Sequence, residues 1–364
     1  MAMHITVVAG ARPNFMKVAP LIHNIQRKQQ EGFDIEYSLV HTGQHYDKAL
    51  SQTFFDELNI PKPAVNLEVG SGTQAVQTAT IMVKFEEFLL KNRTDLVLVV
   101  GDINSTMACS IVAKKMNLQL VHVEAGIRSF DLSMPEEINR MVTDAIADHF
   151  FTTSDVANAN LLKSGVAPDR IHFVGNTMID TLLAQRKNFR KPKFFENENI
   201  KHKEYIVLTL HRPSNVDDAK HLRYILQIIA ENAKDITILF PVHPRTRATL
   251  ENTDILPAHL KLIEPLGYLE FMYLVNGSLG VITDSGGVQE ETTVLGIPCL
   301  TLRKNSERPE TITVGTNVLV EHIADLSAFM NVLFSGSWKK GAIPALWDGN
   351  ASARIIDKLL QIYS

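Results

Sequence analysis

The sequence predicts an α/β protein made of two doubly wound, Rossmann-like domains with a cleft between them. Three observations predict it. The apolar runs are continuous rather than alternating, as in strands buried on both faces of a parallel sheet. Stretches of helical period separate them, as βαβ units require. The chain has 364 residues, and compact domains run to roughly 100–200 residues each.

Taken in order, "HITVVAG" (4–10) reads as the first buried strand and "MKVAPLIHNIQRKQQ" (16–30) as the helix after it. "DIEYSLVHTG" (34–43), "DLVLVVGD" (95–102), "LQLVHVEAG" (118–126) and "HFFTTS" (149–154) continue the strands. Helical spacing over 75–92, 105–117 and 135–147 supplies the crossovers. Residues 1–170 therefore form an N-terminal domain. Near the start of the second domain (171–350) lies "NFRKPKFFENENIKHKE" (188–204), polar and charged, an irregular connection. The β/α rhythm resumes with "YIVLTLH" (205–211), "ITILFPVH" (236–243), "LGVITDSGG" (279–287) and "PCLTLR" (298–303). The amphipathic end "ASARIIDKLLQIYS" (351–364) is expected to return to the first domain.

Bulk properties narrow the function. With 45% hydrophobic and 21% charged residues the chain is ordinary globular material. A net charge of −4 and no basic block argue against nucleic acid or an anionic membrane as partner. The N-terminus lacks a basic n-region, and no run reaches 18 apolar residues. Cys109 and Cys299 lie far apart in buried-looking contexts, as expected of reduced cysteines in a cytoplasmic protein.

In open parallel sheets, ligands bind beyond the carboxyl ends of the strands, and the candidate residues cluster there. In "TDSGGVQEE" (283–291), Ser285 is placed to cap a helix. Gly286 and Gly287 let backbone N–H groups approach an anion at that helix N-terminus. Glu291, just behind, is suited to accept two hydrogen bonds from a vicinal diol. A capped strand–helix turn alone would have the same glycines. The carboxylates add a second requirement, and an anion site beside a diol site describes the diphosphate and ribose of a nucleotide sugar. In "GARPNFMKVAP" (10–20), Arg12 and Lys17 flank a helix start and would reinforce its attraction for phosphate.

Three acidic residues end strands or begin helices in the first half: Asp102 in "VGDINST", Glu124 in "HVEAGIRS" and Glu136 in "MPEEINR". Singly, each reads equally well as a cap or a dipole complement. Together they suit an acid–base pair or trio. "LTLHRPSN" (208–215) and "PVHPRT" (241–246) each put a histidine after a strand, and His211 could protonate or bridge a leaving phosphate. No Walker sequence, Cys/His cluster or G-x-S-x-G occurs. "GSGTQA" (70–75) matches a loose dinucleotide pattern outside the first βαβ unit. Neither a metal nor a redox cofactor is expected.

These motifs, with "HTGQHYD", "GNTMID" and "RKNSERPET", resemble in order and spacing the non-hydrolysing UDP-N-acetylglucosamine 2-epimerases. The resemblance runs from about residue 5 to 357. It implies the glycosyltransferase-B architecture, a homodimer, a UDP-sugar substrate and no cofactor. It places Asp102, Glu124 and Glu136 around the sugar as acid–base candidates and assigns His211 to the departing diphosphate. Arg12, Ser285 and Gly286 would hold phosphate oxygens, with Gly287 in the same turn and Lys17 close by. Glu291 would take the ribose hydroxyls, and Arg308 would lie near the diphosphate. The implied reaction eliminates UDP to a 2-acetamidoglucal and adds it back with C2 inverted, for surface-polysaccharide precursors.

Two positions depart from the family's pattern. "QHYD" (44–47) replaces the "QHRE" of many members, bearing on activation by a second UDP-GlcNAc, and Leu210 stands where many have glycine. The "HTGQHYD" and "RSFDLSMPEEINR" forms also resemble a branch that includes 2-epimerases for 2,3-diacetamido uronic acids and 2-acetamido-6-deoxy sugars, which leaves the substrate open. A glycosyltransferase would share the nucleotide half without needing the three carboxylates together. A hydrolysing epimerase would differ only in water access, and a non-catalytic binding module would not need the acid–base residues.

Overall fold

The structure, a computed structural model, describes the chain except residues 1, 11, 44–54, 197–199, 243–245, 248–249, 251–256 and 364, and the side chains of Arg12, Pro13 and Glu196. Tyr46 and Asp47 of "QHYD", and the histidine and arginine of "PVHPRT", therefore lie outside the described residues, as does the Arg12 side chain.

The first unit comprises β1 (Met3–Ala9), α1 (Arg12–Gln30), β2 (Ile35–His41), β3 (Val65–Asn66), α2 (Gln74–Lys91), β4 (Leu96–Val100), α3 (Asn104–Lys115), β5 (Gln119–Val123), α4 (Pro135–Ile146), β6 (His149–Thr152), α5 (Asp155–Lys163), β7 (Ile171–Phe173) and α6 (Thr177–Gln185). Its seven strands are parallel and ordered β3-β2-β1-β4-β5-β6-β7. The order reverses between β1 and β4, so the loops after these strands diverge there and leave room for a ligand. β4 is five consecutive buried residues, LVLVV, covered on both faces. Against it pack Ile81, Phe85, Phe88 and Leu89 of α2 and Ala108, Cys109 and Val112 of α3. Each fully buried large side chain contributes roughly 1.5–3 kcal/mol.

The second unit comprises β8 (Tyr205–Thr209), α7 (Pro213–Val216), α8 (Ala219–Ala233), β9 (Thr237–Pro241), β10 (Leu260–Ile263), α9 (Tyr268–Gly277), β11 (Gly280–Thr283), α10 (Gly286–Leu295), β12 (Cys299–Leu302), α11 (Pro309–Thr313), β13 (Asn317–Val320) and α12 (Leu326–Phe334). Its six parallel strands run β10-β9-β8-β11-β12-β13, with the reversal between β8 and β11. Asp218 caps α8 by accepting from Lys220 N and His221 N, and Gly296 ends α10 in a left-handed conformation at φ 69°.

The change of unit does not fall at residue 170. The first unit runs to Ala184 and takes back residues 345–364, and the second spans Gln185–Pro344. The reason is β7: Ile171 and His172 pair with Phe150 and Phe151, extending the first sheet by one strand. The last helix, α13 (Ala351–Tyr363), is held by Asp180, whose carboxylate accepts from Ala351 N at 3.0 Å, Ser352 N at 2.7 Å and Ser352 Oγ at 2.6 Å. Asn24 of α1 reaches Ser352 Oγ at 2.8 Å, and Lys28 pairs with Asp357 at 2.9 Å. Among the described residues no helix is long and apolar enough to cross a membrane. No group of three or more His, Cys, Asp or Glu side chains among them is placed to hold a metal ion.

Candidate active site

In the first unit the candidate side chains stand at the strand ends beside the reversal of sheet order. β4 and β5 are parallel neighbours in register, Val100 opposite Val123, so the residues just beyond them share one edge. Gly101 and Asp102 follow β4, and Glu124 follows β5. Glu124 is 5% exposed and adopts φ 70°, a left-handed conformation that a side chain with a Cβ disfavours. Its carboxylate forms an ion pair with Lys17, itself mostly buried one turn into α1. Gly101 lies under this pair: a Cβ there would sit 3.3 Å from Glu124 Oε2 and 3.5 Å from Lys17 Nζ. The structure thus places Lys17 against Glu124.

Asp102 is partly exposed, and Arg140 of α4 donates to its Oδ2 at 2.9 Å. Arg140 is itself buried, and its Nε donates to Glu137 Oε2 at 3.1 Å. Glu137 also accepts from Ser129 N at 2.9 Å, Ser129 Oγ at 3.0 Å and Phe130 N at 3.2 Å. So the two glutamates of "PEE" divide their work. Glu137 fastens the preceding loop, while Glu136 is exposed on the same first turn of α4.

Beneath Asp102 and Glu124 is His122, buried within β5. Its Nδ1 lies 2.6 Å from Asp144 Oδ1 and its Nε2 lies 2.8 Å from the Gly101 carbonyl oxygen. Asp144 also pairs with Arg128 at 2.7 Å. Burial pushes the Asp144 carboxyl up, but His122 and Arg128 outweigh it and hold it below the usual range. Sequence reasoning missed His122, Asp144, Glu137 and Arg140. The available signal was a lone histidine in an otherwise apolar strand and a helix whose polar residues repeat at 137, 140 and 144.

In the second unit β8 and β11 end at the corresponding reversal. Asp284, fully buried after β11, accepts from the backbone of His211 at 3.1 Å and Arg212 at 3.0 Å and from Asn215 Nδ2 at 2.9 Å. His211 Nδ1 lies 2.7 Å from Asp284 Oδ1, while the His211 side chain is 60% exposed. Burial raises the Asp284 pKa and these donors lower it further, leaving it ionised and below the ordinary carboxylate range. Sequence reasoning named His211 but not the aspartate holding it.

Ser285 is the N-cap of α10, yet its side chain makes no capping hydrogen bond. Its hydroxyl and the first amide groups of α10 form a donor set suited to an anion. Gly286 is packed closely: a Cβ there would be 3.2 Å from Glu307 Oε1. Glu307 pairs with Arg303 at 2.6 Å, and Arg212 lies 3.9 Å from its other oxygen. Burial would raise the Glu307 pKa, but Arg303 and Arg308 hold it well below the usual range.

The segment Gln289-Glu290-Glu291 is entirely buried. Gln289 accepts from Ser306 Oγ at 2.8 Å and Asn317 Nδ2 at 3.1 Å. Glu290 faces Arg308, whose Nε lies 2.5 Å from Glu290 Oε1. Arg308 is 4% exposed, so it braces α10 from within. Glu291 Oε1 is buried without a hydrogen-bond partner. Burial pushes its carboxyl up to about 8, with the Tyr268 hydroxyl acting in the opposite sense and the Glu290 charge adding to the rise.

The family model for UDP-N-acetylglucosamine 2-epimerase matches residues 27–360. The chain is 41% identical over 328 residues to the UDP-N-acetylglucosamine 2-epimerase of Methanocaldococcus jannaschii, covering 87% of this chain and 88% of that one. It is 36% identical over 363 residues to the UDP-2,3-diacetamido-2,3-dideoxy-D-glucuronate 2-epimerase of Pseudomonas aeruginosa, covering 99% and 100%. The crystal structure of the Methanocaldococcus enzyme in complex with UDP-GlcNAc and UDP superposes with a TM-score of 0.86 at 38% identity, covering 99% of this chain and all of that one. The family model over most of the chain, the near full-length similarity and the structural match agree, and the chain belongs to the UDP-N-acetylglucosamine 2-epimerase family.

Proposed function

We propose that the protein interconverts UDP-GlcNAc and UDP-ManNAc by inverting C2 of the sugar, acting as an isomerase without a cofactor. The observation that carries this reading is the pair Asp102 and Glu124 at adjacent strand ends, one on Arg140 and the other on Lys17. A C2–H beside an acetal carbon is too weak an acid for direct exchange at neutral pH. Breaking the C1–O bond to UDP first makes C1 electron-poor. A carboxylate then takes the C2 proton, and the C2–H electrons form the C1=C2 double bond of 2-acetamidoglucal. In return, a carboxyl group delivers a proton to the opposite face of C2 while a UDP oxygen bonds to C1.

In this reading Asp102, Glu124 and Glu136 surround the reacting carbons. His211, oriented by Asp284, donates to the leaving diphosphate. Ser285, Gly286 and Gly287 hold phosphate oxygens through the α10 N-terminus, aided by Arg12, with Lys17 keeping Glu124 in place. The buried, unpartnered Oε1 of Glu291 suits the ribose diol, which would satisfy an oxygen that is otherwise costly to bury. Arg308 acts on the diphosphate through the shape of α10 rather than by contact.

A second substrate is favoured by one observation: the similarity to the diacetamido-glucuronate epimerase spans 99% of the chain. Incubation with UDP-GlcNAc in D2O, followed by NMR and mass spectrometry, tests both. Deuterium at C2 in both UDP-GlcNAc and UDP-ManNAc supports the first reading. Exchange only with UDP-2,3-diacetamido-glucuronate supports the second. Free N-acetylmannosamine with UDP identifies a hydrolysing enzyme, and transfer to an acceptor without C2 exchange a glycosyltransferase.

The active form is proposed to be a homodimer built through the first unit. Val76, Val83 and Leu90 recur every seven residues on the exposed face of α2, and Ile138 and Met141 are exposed on α4. Both helices pack against α3. A Val83→Glu/Leu90→Glu variant that remains the same size as wild type by light scattering would sink this assignment.

A further inference from the structure

Three residues with left-handed backbone lie in the turns that carry Asp102 and Glu124: Gly101 at φ 71°, Glu124 itself at φ 70° and Gly126 at φ 77°. Two are glycines, for which this conformation is easy. Glu124 is not, and such a backbone persists only where its surroundings over-determine it. The surrounding device is His122. Its imidazole faces two acceptors, the Gly101 carbonyl at 2.8 Å and Asp144 Oδ1 at 2.6 Å, so both ring nitrogens must donate. Asp144 Oδ2 in turn accepts from Gly126 N at 3.1 Å. One buried ring thus ties the turn after β4, which carries Asp102, to the turn after β5, which carries Glu124, and both to α4.

A parallel strand buried on both faces is normally filled by valine or isoleucine, as at Val121 and Val123 on either side of His122. A buried imidazole and carboxylate there demand full hydrogen bonding, and an apolar replacement would serve the sheet as well or better. Their use lies in what they hold. We propose that His122, acting with Asp144, is a positioning residue for proton transfer at C2. It fixes the left-handed turn that aims the Glu124 carboxylate and keeps the Asp102 turn in register with it. His122 is fully buried and is assigned no contact with sugar or UDP, and the inference rests on the epimerase reading above.

Two variants separate its hydrogen bonds. His122→Asn keeps a donor toward Asp144 and loses the one to Gly101, and His122→Gln does the reverse. Since both bonds are required, each should lower kcat about 100-fold, the scale of a catalytic group displaced by about 1 Å. KM for the UDP-sugar and Kd for UDP should stay within about threefold of wild type. Rates are compared only for preparations whose calorimetric unfolding matches wild type, which excludes a misfolded first unit as the cause. A wild-type kcat in either variant overturns the proposal, as does a loss of UDP affinity in step with kcat. Should both variants fail to fold, 15N NMR of histidine-labelled wild-type protein decides it. One imidazole with two exchange-protected N–H protons is expected, and a His122 ring bearing a single proton overturns the proposal. A wild type that exchanges C2 of no UDP-2-acetamido sugar sinks the functional reading and this inference with it, a result distinct from any confined to the variants.

Discussion

Asp284 Oδ1 lies 2.7 Å from His211 Nδ1, and the same carboxylate accepts the backbone N–H groups of His211 and Arg212. A wholly buried aspartate therefore fixes both the ring and the chain of an exposed histidine, leaving Nε2 as its outward-facing nitrogen. This is how a general acid is held in one tautomer and one orientation. His211→Asn should lower kcat about 100-fold or more, within the range for a lost acid–base group. Asp284→Asn keeps the shape but turns an N–H toward other donors, so it should also lower kcat and weaken folding of the second unit. Initial rates with UDP titration calorimetry check this, and unchanged kcat in His211→Asn would remove it from the mechanism.

Glu291 makes a prediction with two opposite signs. Its carboxyl is raised from 4.5 to about 8, chiefly by burial. Between those values the folded protein keeps a proton that the unfolded chain has released. The stability associated with that proton is fully present below the lower value and is lost as pH rises through the upper one. Glu291→Gln carries no such loss, so it should melt above wild type at pH 8 and close to it at pH 4.5. UDP affinity should fall about 10- to 100-fold, because hydrogen bonds to a charged acceptor are worth roughly 1.5–3 kcal/mol. In wild type, UDP binding near neutral pH should release a proton, read by calorimetry in buffers of different ionisation enthalpy. Equal affinities in wild type and Glu291→Gln would exclude Glu291 from ribose recognition.

Much of this arrangement was legible in the sequence, for identifiable reasons. Long buried strands such as LVLVV and the helices over 74–91 and 104–115 carry strong periodicity, and they formed within a residue or two of expectation. The short strands at Val65–Asn66, Ile171–Phe173, Leu260–Ile263 and Asn317–Val320 did not announce themselves. They are two to four residues long at or near sheet edges, with partly exposed positions and too little pattern to distinguish them from loop. Missing the second of them is what moved the unit boundary. At the site, the sequence showed which polar residues follow strands but not which way they turn. Glu290 and Glu291 are adjacent, yet helical geometry points one at Arg308 and the other at Tyr268. Asp144 lies 22 residues from its partner His122. Such pairings are fixed by the tertiary fold.

The pairing of Lys17 with buried Glu124 leads to a third prediction. Glu124→Gln preserves volume and removes one of the carboxylates proposed to exchange the C2 proton. C2 deuterium exchange should fall by about 10²–10⁴, while Kd for UDP, whose proposed contacts do not include Glu124, stays near wild type. Lys17→Met leaves Glu124 buried without its cation and should lower both stability and exchange. Exchange at the wild-type rate in Glu124→Gln would move the proton transfer to Asp102 or Glu136.

Arg140 yields a prediction about folding that can be told apart from catalysis. Its guanidinium is buried against Asp102 at 2.9 Å and Glu137 at 3.1 Å, and Glu137 also holds the amide groups of Ser129 and Phe130. Arg140→Met strands the buried Glu137 carboxylate without its cation, which typically costs about 3–5 kcal/mol. For domains of this size that corresponds to a fall in Tm of roughly 10 °C. Glu137→Gln leaves the Arg140–Asp102 pair intact and still accepts one hydrogen bond, so its loss should be smaller, on the order of 1–2 kcal/mol. Combining the two should be less damaging than the sum, because the residues share one network. Strict additivity in a calorimetric double-mutant cycle would show that the two do not act together. Arg140→Lys discriminates further: it keeps the charge but loses the fork, so it should recover most of the stability. If Asp102 needs the guanidinium geometry for proton transfer, kcat will remain depressed in that variant even where folding is restored.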